Sequence, residues 1–118
     1  MIAVKIFKDL EFIFSIKTTP EQRQDYINEI KEAIKSSDSI VKIDNSIFRI
    51  INEKNIREIY QKEKELELKL NLDIPSWVEI DWTKTVQNCL NDEGYERHFN
   101  GGKYTSLWSN GYYIFRIN

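Results

Sequence analysis

The sequence predicts an α+β fold: two helices packed on antiparallel β-hairpins, with a three-stranded meander in the C-terminal part. Three observations predict it. A capped start at Thr19-Pro20-Glu21-Gln22 opens a stretch of helical spacing, a second start at Asp81 opens another, and short β-branched and aromatic runs separated by Asn/Gly turns occupy much of the rest. At 118 residues the chain suits one domain, 1–118, with a β-α-β-hairpin half over 1–73 and a helix-plus-meander half over 74–118.

Residues 3–7 and 10–16 are rich in β-branched and aromatic side chains, and Phe12, Phe14 and Ile16 alternate. They are expected as a hairpin or one bent strand. Thr19 then caps a helix with Pro20 at its first position and Gln22 completing a capping box. Along it Tyr26, Ile27, Ile30, Ala33 and Ile34 share one face, while Arg23, Glu29, Lys31, Glu32 and Lys35 occupy the other. Residues 40–43 and 47–51 return to β character around Asp44-Asn45-Ser46 and predict a hairpin.

Further on, Leu66, Leu68, Leu70 and Leu72 alternate with Glu65, Glu67, Lys69 and Asn71. That period of two predicts a second hairpin, residues 56–61 and 65–72, turning at Lys62-Glu63-Lys64; a single helix over 55–70 is the rival. Asp73-Ile74-Pro75-Ser76 forms a joint, because a residue preceding proline is pushed away from helix. Asp81 caps the second helix, whose Trp82, Val86, Cys89 and Leu90 fall on one face, and Gly94 is expected to end it. Ser76 with Glu79 offers an alternative start. The meander follows in residues 95–99, 104–108 and 112–117, joined by turns at Asn100-Gly101-Gly102 and Ser109-Asn110-Gly111.

Composition narrows the function classes. The net charge is −2, with 17 basic and 19 acidic residues spread along the chain, so no global field draws it to nucleic acid or anionic lipid. No apolar run nears the roughly 18 residues of a membrane span. Residues 1–14 interleave Lys5, Lys8, Asp9 and Glu11 with apolar residues, unlike a signal peptide, and Cys89 is the only cysteine. A cytoplasmic protein without disulfides is expected. Ile, Lys and Asn supply 40 of the residues while alanine occurs twice, a bias that points to an AT-rich bacterial genome or mobile element.

Chemistry-bearing groups are sparse. His98, the only histidine, falls in an expected strand, and Cys89 lies on the apolar face of a helix, so the two do not suggest a nucleophile and its base. Glu79, Asp81, Asp92, Glu93 and Glu96 are explained by capping and a solvated helix end more simply than by metal or acid–base chemistry. Asn100-Gly101-Gly102-Lys103 joins strands rather than opening a helix, unlike a phosphate-binding loop. No catalysis, metal or cofactor is expected.

Aromatic and basic residues of the tail are more suggestive. On the last strand Tyr113, Phe115 and Ile117 form the more apolar set, expected inward, which turns Tyr112 and Arg116 outward. Tyr95, Arg97, Tyr104, Trp108, Tyr112 and Arg116 are thus the candidate partner-binding residues, being of the types that dominate protein interfaces. Rings interleaved with Arg97, Lys103 and Arg116 also suit stacking on single-stranded nucleic acid.

Ile80-Asp81-Trp82 with Thr85, Leu90 and the terminal Gly111-Tyr112-Tyr113-Ile114-Phe115-Arg116 resembles the ArdA-like antirestriction proteins of plasmids, transposons and phages. The resemblance covers about the last third of the chain. It implies a cytoplasmic inhibitor from a mobile element; with the small size, the single domain, the missing catalytic set and the AT-rich bias, the expectation is a non-catalytic phage- or plasmid-encoded protein that binds and blocks a bacterial defence protein, a restriction or CRISPR nuclease. That family works by imitating the charge of duplex DNA, but 19 acidic residues here face 17 basic ones, so charge mimicry is only one route open to this chain. The alternative is a small nucleic-acid-binding module using the aromatic C-terminal sheet; a homodimer is compatible with either.

Overall fold

The computed structural model describes residues 1–118. In chain order it contains α1 (Ile2–Phe14), α2 (Pro20–Ala33), β1 (Asp38–Ile43), β2 (Ser46–Asn52), α3 (Ile56–Asn71), α4 (Trp82–Asn100), β3 (Ser106–Ser109) and β4 (Tyr112–Arg116). The architecture is α+β, with four helices and one antiparallel sheet ordered β1-β2-β4-β3. Two hairpins from distant parts of the chain meet at the centre, where Ile50 lies opposite Ile114 and Arg49 opposite Phe115.

Local signals account for much of this. Thr19 and Gln22 form the expected reciprocal capping box, and Asp81 accepts from the Lys84 amide at 3.1 Å. The β3–β4 hairpin turns at Asn110 (φ 51°) and Gly111 (φ 90°), a positive-φ pair that matches the twist of the strands. Asp44 (φ 56°) serves the β1–β2 turn.

Three expectations are corrected. Residues 2–14 are helix, not strand, because Ala3, Ile6, Phe7 and Leu10 are buried at helical spacing. The alternation of Phe12, Phe14 and Ile16 misled, since Phe12 is 85% exposed. Residues 56–71 form one helix, as in the rival reading: Ile56, Tyr60 and Lys64 recur every four residues inward, and the alternating leucines and glutamates are good helix formers. Finally, residues 95–99 continue α4 beyond Gly94. The backbone there is non-helical (φ 74°, ψ 173°), but the helix resumes and runs on to a left-handed cap at Gly101. The meander therefore has two strands, and β2 takes the place of its third.

Helices cover both sheet faces. Under α1 and α2, Val41, Ile43, Phe48, Ile50 and Ile114 join Ile6, Phe7, Leu10, Ile27 and Ile30 in one core. On the other side Ile51 and Phe115 pack with Ile56 and Tyr60 of α3 and Val86 and Phe99 of α4. The expected inward and outward sets of β4 are corrected accordingly: Ile114 is as buried as Phe115, and the Tyr112 hydroxyl donates to the Ile34 carbonyl of the α2 end at 3.3 Å. Val86 is buried, whereas Trp82 and Leu90 are half-buried and α4 lies chiefly against α3. The molecule measures 60 × 25 × 20 Å. No helix is long and apolar enough to cross a membrane.

Candidate partner-binding surfaces

A network of charged side chains lies where α3 and α4 meet the sheet. Arg49, on central strand β2, donates to Asp38 at 2.9 and 2.6 Å and to Glu63 of α3 at 3.2 and 2.5 Å, with its guanidinium 4.8 Å from the Phe99 ring centre. His98 places Nε2 3.1 Å from Glu63 and Nδ1 3.5 Å from Glu67. Lys64 lies 2.8 Å from Glu93, which also accepts from the Tyr60 hydroxyl at 2.8 Å.

The protonation equilibria follow these contacts. The Asp38 hydrogen bond, opposed by burial and aided by Glu63, raises Arg49 above its ordinary value. The Arg49 hydrogen bond holds Glu63 below the usual carboxylate range. Burial pushes Glu93 up, but the bonds from Lys64 and Tyr60 outweigh it and the net displacement is downward. Burial likewise pushes Lys64 down, and Glu93 more than reverses this. Tyr60 is raised by burial and then by Glu93.

Chemically the network is closed on itself. Each carboxylate is committed to a cation or hydroxyl, both His98 ring nitrogens face glutamates rather than Cys89, and no group of three or more His, Cys, Asp or Glu is disposed to hold a metal ion. Its work is to clamp α3 and α4 to the sheet. A lone arginine in the apolar run Ile47-Phe48-Arg49-Ile50-Ile51 is its signal in the sequence.

The six tail residues are separated into distinct places. Tyr95, edge-on to Tyr60 and Tyr113, and Trp108, which is 55% exposed and donates to Glu53 at 2.8 Å, line a shallow groove of about 290 Å³ with Leu107, Tyr113 and Phe115. Arg116 instead stacks over Tyr104 at 5.4 Å. Tyr112 is anchored to the end of α2, and Arg97 is exposed on α4.

A further surface, not marked by the sequence pattern, lies on α3 and the loop after it. Leu66, Leu70, Leu72, Trp77 and Val78 are 38% to 82% exposed, Trp77 and Leu70 most of all, and they fall within one short stretch of the α3–α4 hairpin. Leu66 and Leu70 stand one helical turn apart on the outside of α3, while Leu68 packs inward. The loop turns at Pro75, whose carbonyl accepts from the Val78 amide at 3.0 Å, and returns to Trp82, where Lys69 lies 5.3 Å over the indole. Between Glu65 and Asp81 the chain carries five carboxylates against the single Lys69.

No protein-family model matches this chain, and neither a curated protein nor a solved structure matches it significantly.

Proposed function

We propose that this protein is a non-catalytic binding protein that docks a partner protein on the apolar, acidic end of the α3–α4 hairpin. The observation that carries this reading is the concentration of exposed Leu66, Leu70, Leu72, Trp77 and Val78 in one stretch of the α3–α4 hairpin, since large exposed apolar groups rimmed by charge mark interaction sites. Glu65 is paired with Lys69 and Glu67 with Lys64, and Asp73, Glu79 and Asp81, which have no ion-pair partner, leave the stretch with a negative excess that suits a basic protein surface better than a phosphate backbone. A host defence nuclease, restriction or CRISPR, presents such a surface in its DNA channel, in keeping with the composition and with the antirestriction resemblance. Affinity capture from a bacterial lysate, read by mass spectrometry, tests this. Wild-type protein is expected to retain a nuclease that the Leu70→Ser/Trp77→Ala double variant loses while its stability stays within about 0.5 kcal/mol. Equal capture by both removes the hairpin end from the site.

A second reading, a small nucleic-acid-binding module, draws on Arg116 stacked over Tyr104 beside Lys103. It requires that an oligothymidine bind, that affinity fall steeply with salt, and that Arg116→Ala reduce that dependence.

A further inference from the structure

β1 is an edge strand whose outer side is open. The Asn52 amide donates to the Ser37 carbonyl, which with the β1–β2 register makes Ser39, Val41 and Ile43 the residues bonded to β2. Asp38, Ile40 and Lys42 therefore turn their amides and carbonyls away from the sheet. Ser36 satisfies Asp38 through its hydroxyl, whereas no group of the chain reaches those of Ile40 or Lys42.

The edge lacks two of the features that block strand addition, a bulge and a proline, and its only lysine is Lys42, on the same sheet face as Ile40. All six β1 residues pair in unbroken register, with no bulge and no proline, and Ile40 at the middle is 64% exposed. β3, the opposite edge, has only four residues. Alongside β1 runs an open groove of about 630 Å³, walled on its other side by Asn28, Glu29, Glu32 and Ala33 of α2.

We propose that β1 accepts an extended segment of another protein as a fifth strand, and that this segment carries basic side chains on the face turned to α2 and apolar ones on the other. This is a second site, independent of the hairpin end. The free amides and carbonyls of Ile40 and Lys42 call for an extended backbone, which alone matches their spacing. Ser39 and Val41 share the sheet face of α2, so alternate side chains of an added strand lie over Glu29 and Glu32, and the remainder lie beside Ile40. Glu29 has no ion-pair partner, and Glu32 has only the exposed Lys35 on its own helix. A second copy of the chain fits less well, because pairing β1 with β1 brings two sets of these carboxylates together.

The probe is an acetylated, amidated peptide of three Lys-Val repeats, with a Glu-Val counterpart as control. In amide-resolved NMR, the Lys-Val peptide is expected to shift and protect the Ile40 and Lys42 amides and to bind at least tenfold more tightly than Glu-Val. Glu29→Gln/Glu32→Gln should reduce that preference to less than threefold. Ile40→Pro removes an outward amide without breaking a β1–β2 bond and should abolish binding; Ile40→Lys, at an exposed position that does not threaten the fold, should weaken it at least fivefold. Equal affinity for the two peptides, unprotected Ile40 and Lys42 amides, or wild-type binding by Ile40→Lys overturns the proposal. Protection of these amides without peptide, rising with protein concentration, also overturns it by making β1 a self-association edge. Because none of these variants lies in residues 66–78, the outcome is separable from that of the hairpin-end experiment.

Discussion

The two faces of the sheet are built on different principles. Beneath α1 and α2 twelve apolar residues are buried together, and the ion pair between Arg23 and Glu11 stays at the margin. Beneath α3 and α4 six apolar residues share the interface with Arg49, Glu63, Lys64, Glu93 and His98. Apolar packing is non-directional and supplies most of the folding free energy, whereas hydrogen-bonded charges contribute less on balance but accept few geometries. The first face thus holds the fold together, and the second sets how the α3–α4 hairpin is mounted.

This contrast breaks most visibly at Phe48, buried at the centre of the dry face. Phe48→Ala is expected to cost about 3 to 5 kcal/mol, read as a large fall in the urea midpoint. A loss below about 1 kcal/mol, the size of an ordinary surface effect, would show that this face is not the stabilising one. Next in size is Arg49→Met, which strands Asp38 and Glu63; with those groups partly solvated, about 1 to 3 kcal/mol is expected. Adding Glu63→Leu should restore part of it, and additivity in that double-mutant cycle would mean the clamp is not coupled.

The smallest effect, and the one that separates the faces best, is pH. Glu63 and Glu93 are held below the ordinary glutamate value of about 4.3 in the folded state, so their stabilisation is present above that value and is lost as pH falls through the depressed folded values. Lys64 and Tyr60 are displaced upward, so their share is complete below about pH 10 and is lost as pH rises through the raised folded values. In an acid titration α3 and α4 should therefore lose amide protection before β1 and β2 do, and Glu93→Gln should narrow the gap. Simultaneous loss on both faces would sink the contrast.

Legibility in the sequence followed how local each cause was. Thr19, Asp81 and Asn110-Gly111 act through neighbours within four residues, and each was readable. Residues 2–14 and 56–71 differ from the strands expected because β-branched and alternating patterns are weak evidence beside tertiary packing, which here selects the helical face. Gly94 interrupts the helix with the positive φ expected of its end, but a second helical segment follows where a strand was expected. The candidate site was less legible still. Tyr95 and Trp108 share a groove, but grouping them with Tyr112 and Arg116 assumed that one sheet face was bare, and only the pairing of β2 with β4 reveals that both are covered. The exposed leucines of α3 were hidden by the same alternation that suggested a strand.

The interruption at Gly94 also gives the hairpin its mechanics. A Cβ there would meet nothing within 4 Å, so it is the torsion and not crowding that reserves the position for glycine. α3 is an unbroken beam rooted at Ile56 and Tyr60, while residues 82–93 of α4 leave the joint at Gly94 and lie against α3, with Val86 buried, Gln87 bonded to Arg57 and the Trp82 carbonyl accepting from Gln61. At a rise of 1.5 Å per residue this segment is roughly 18 Å long, so each ten degrees turned at Gly94 carries its far end about 3 Å sideways. The two backbone angles at Gly94 therefore aim this segment along α3, and the contacts of Gln61 and Lys69 with Trp82 fasten its far end there.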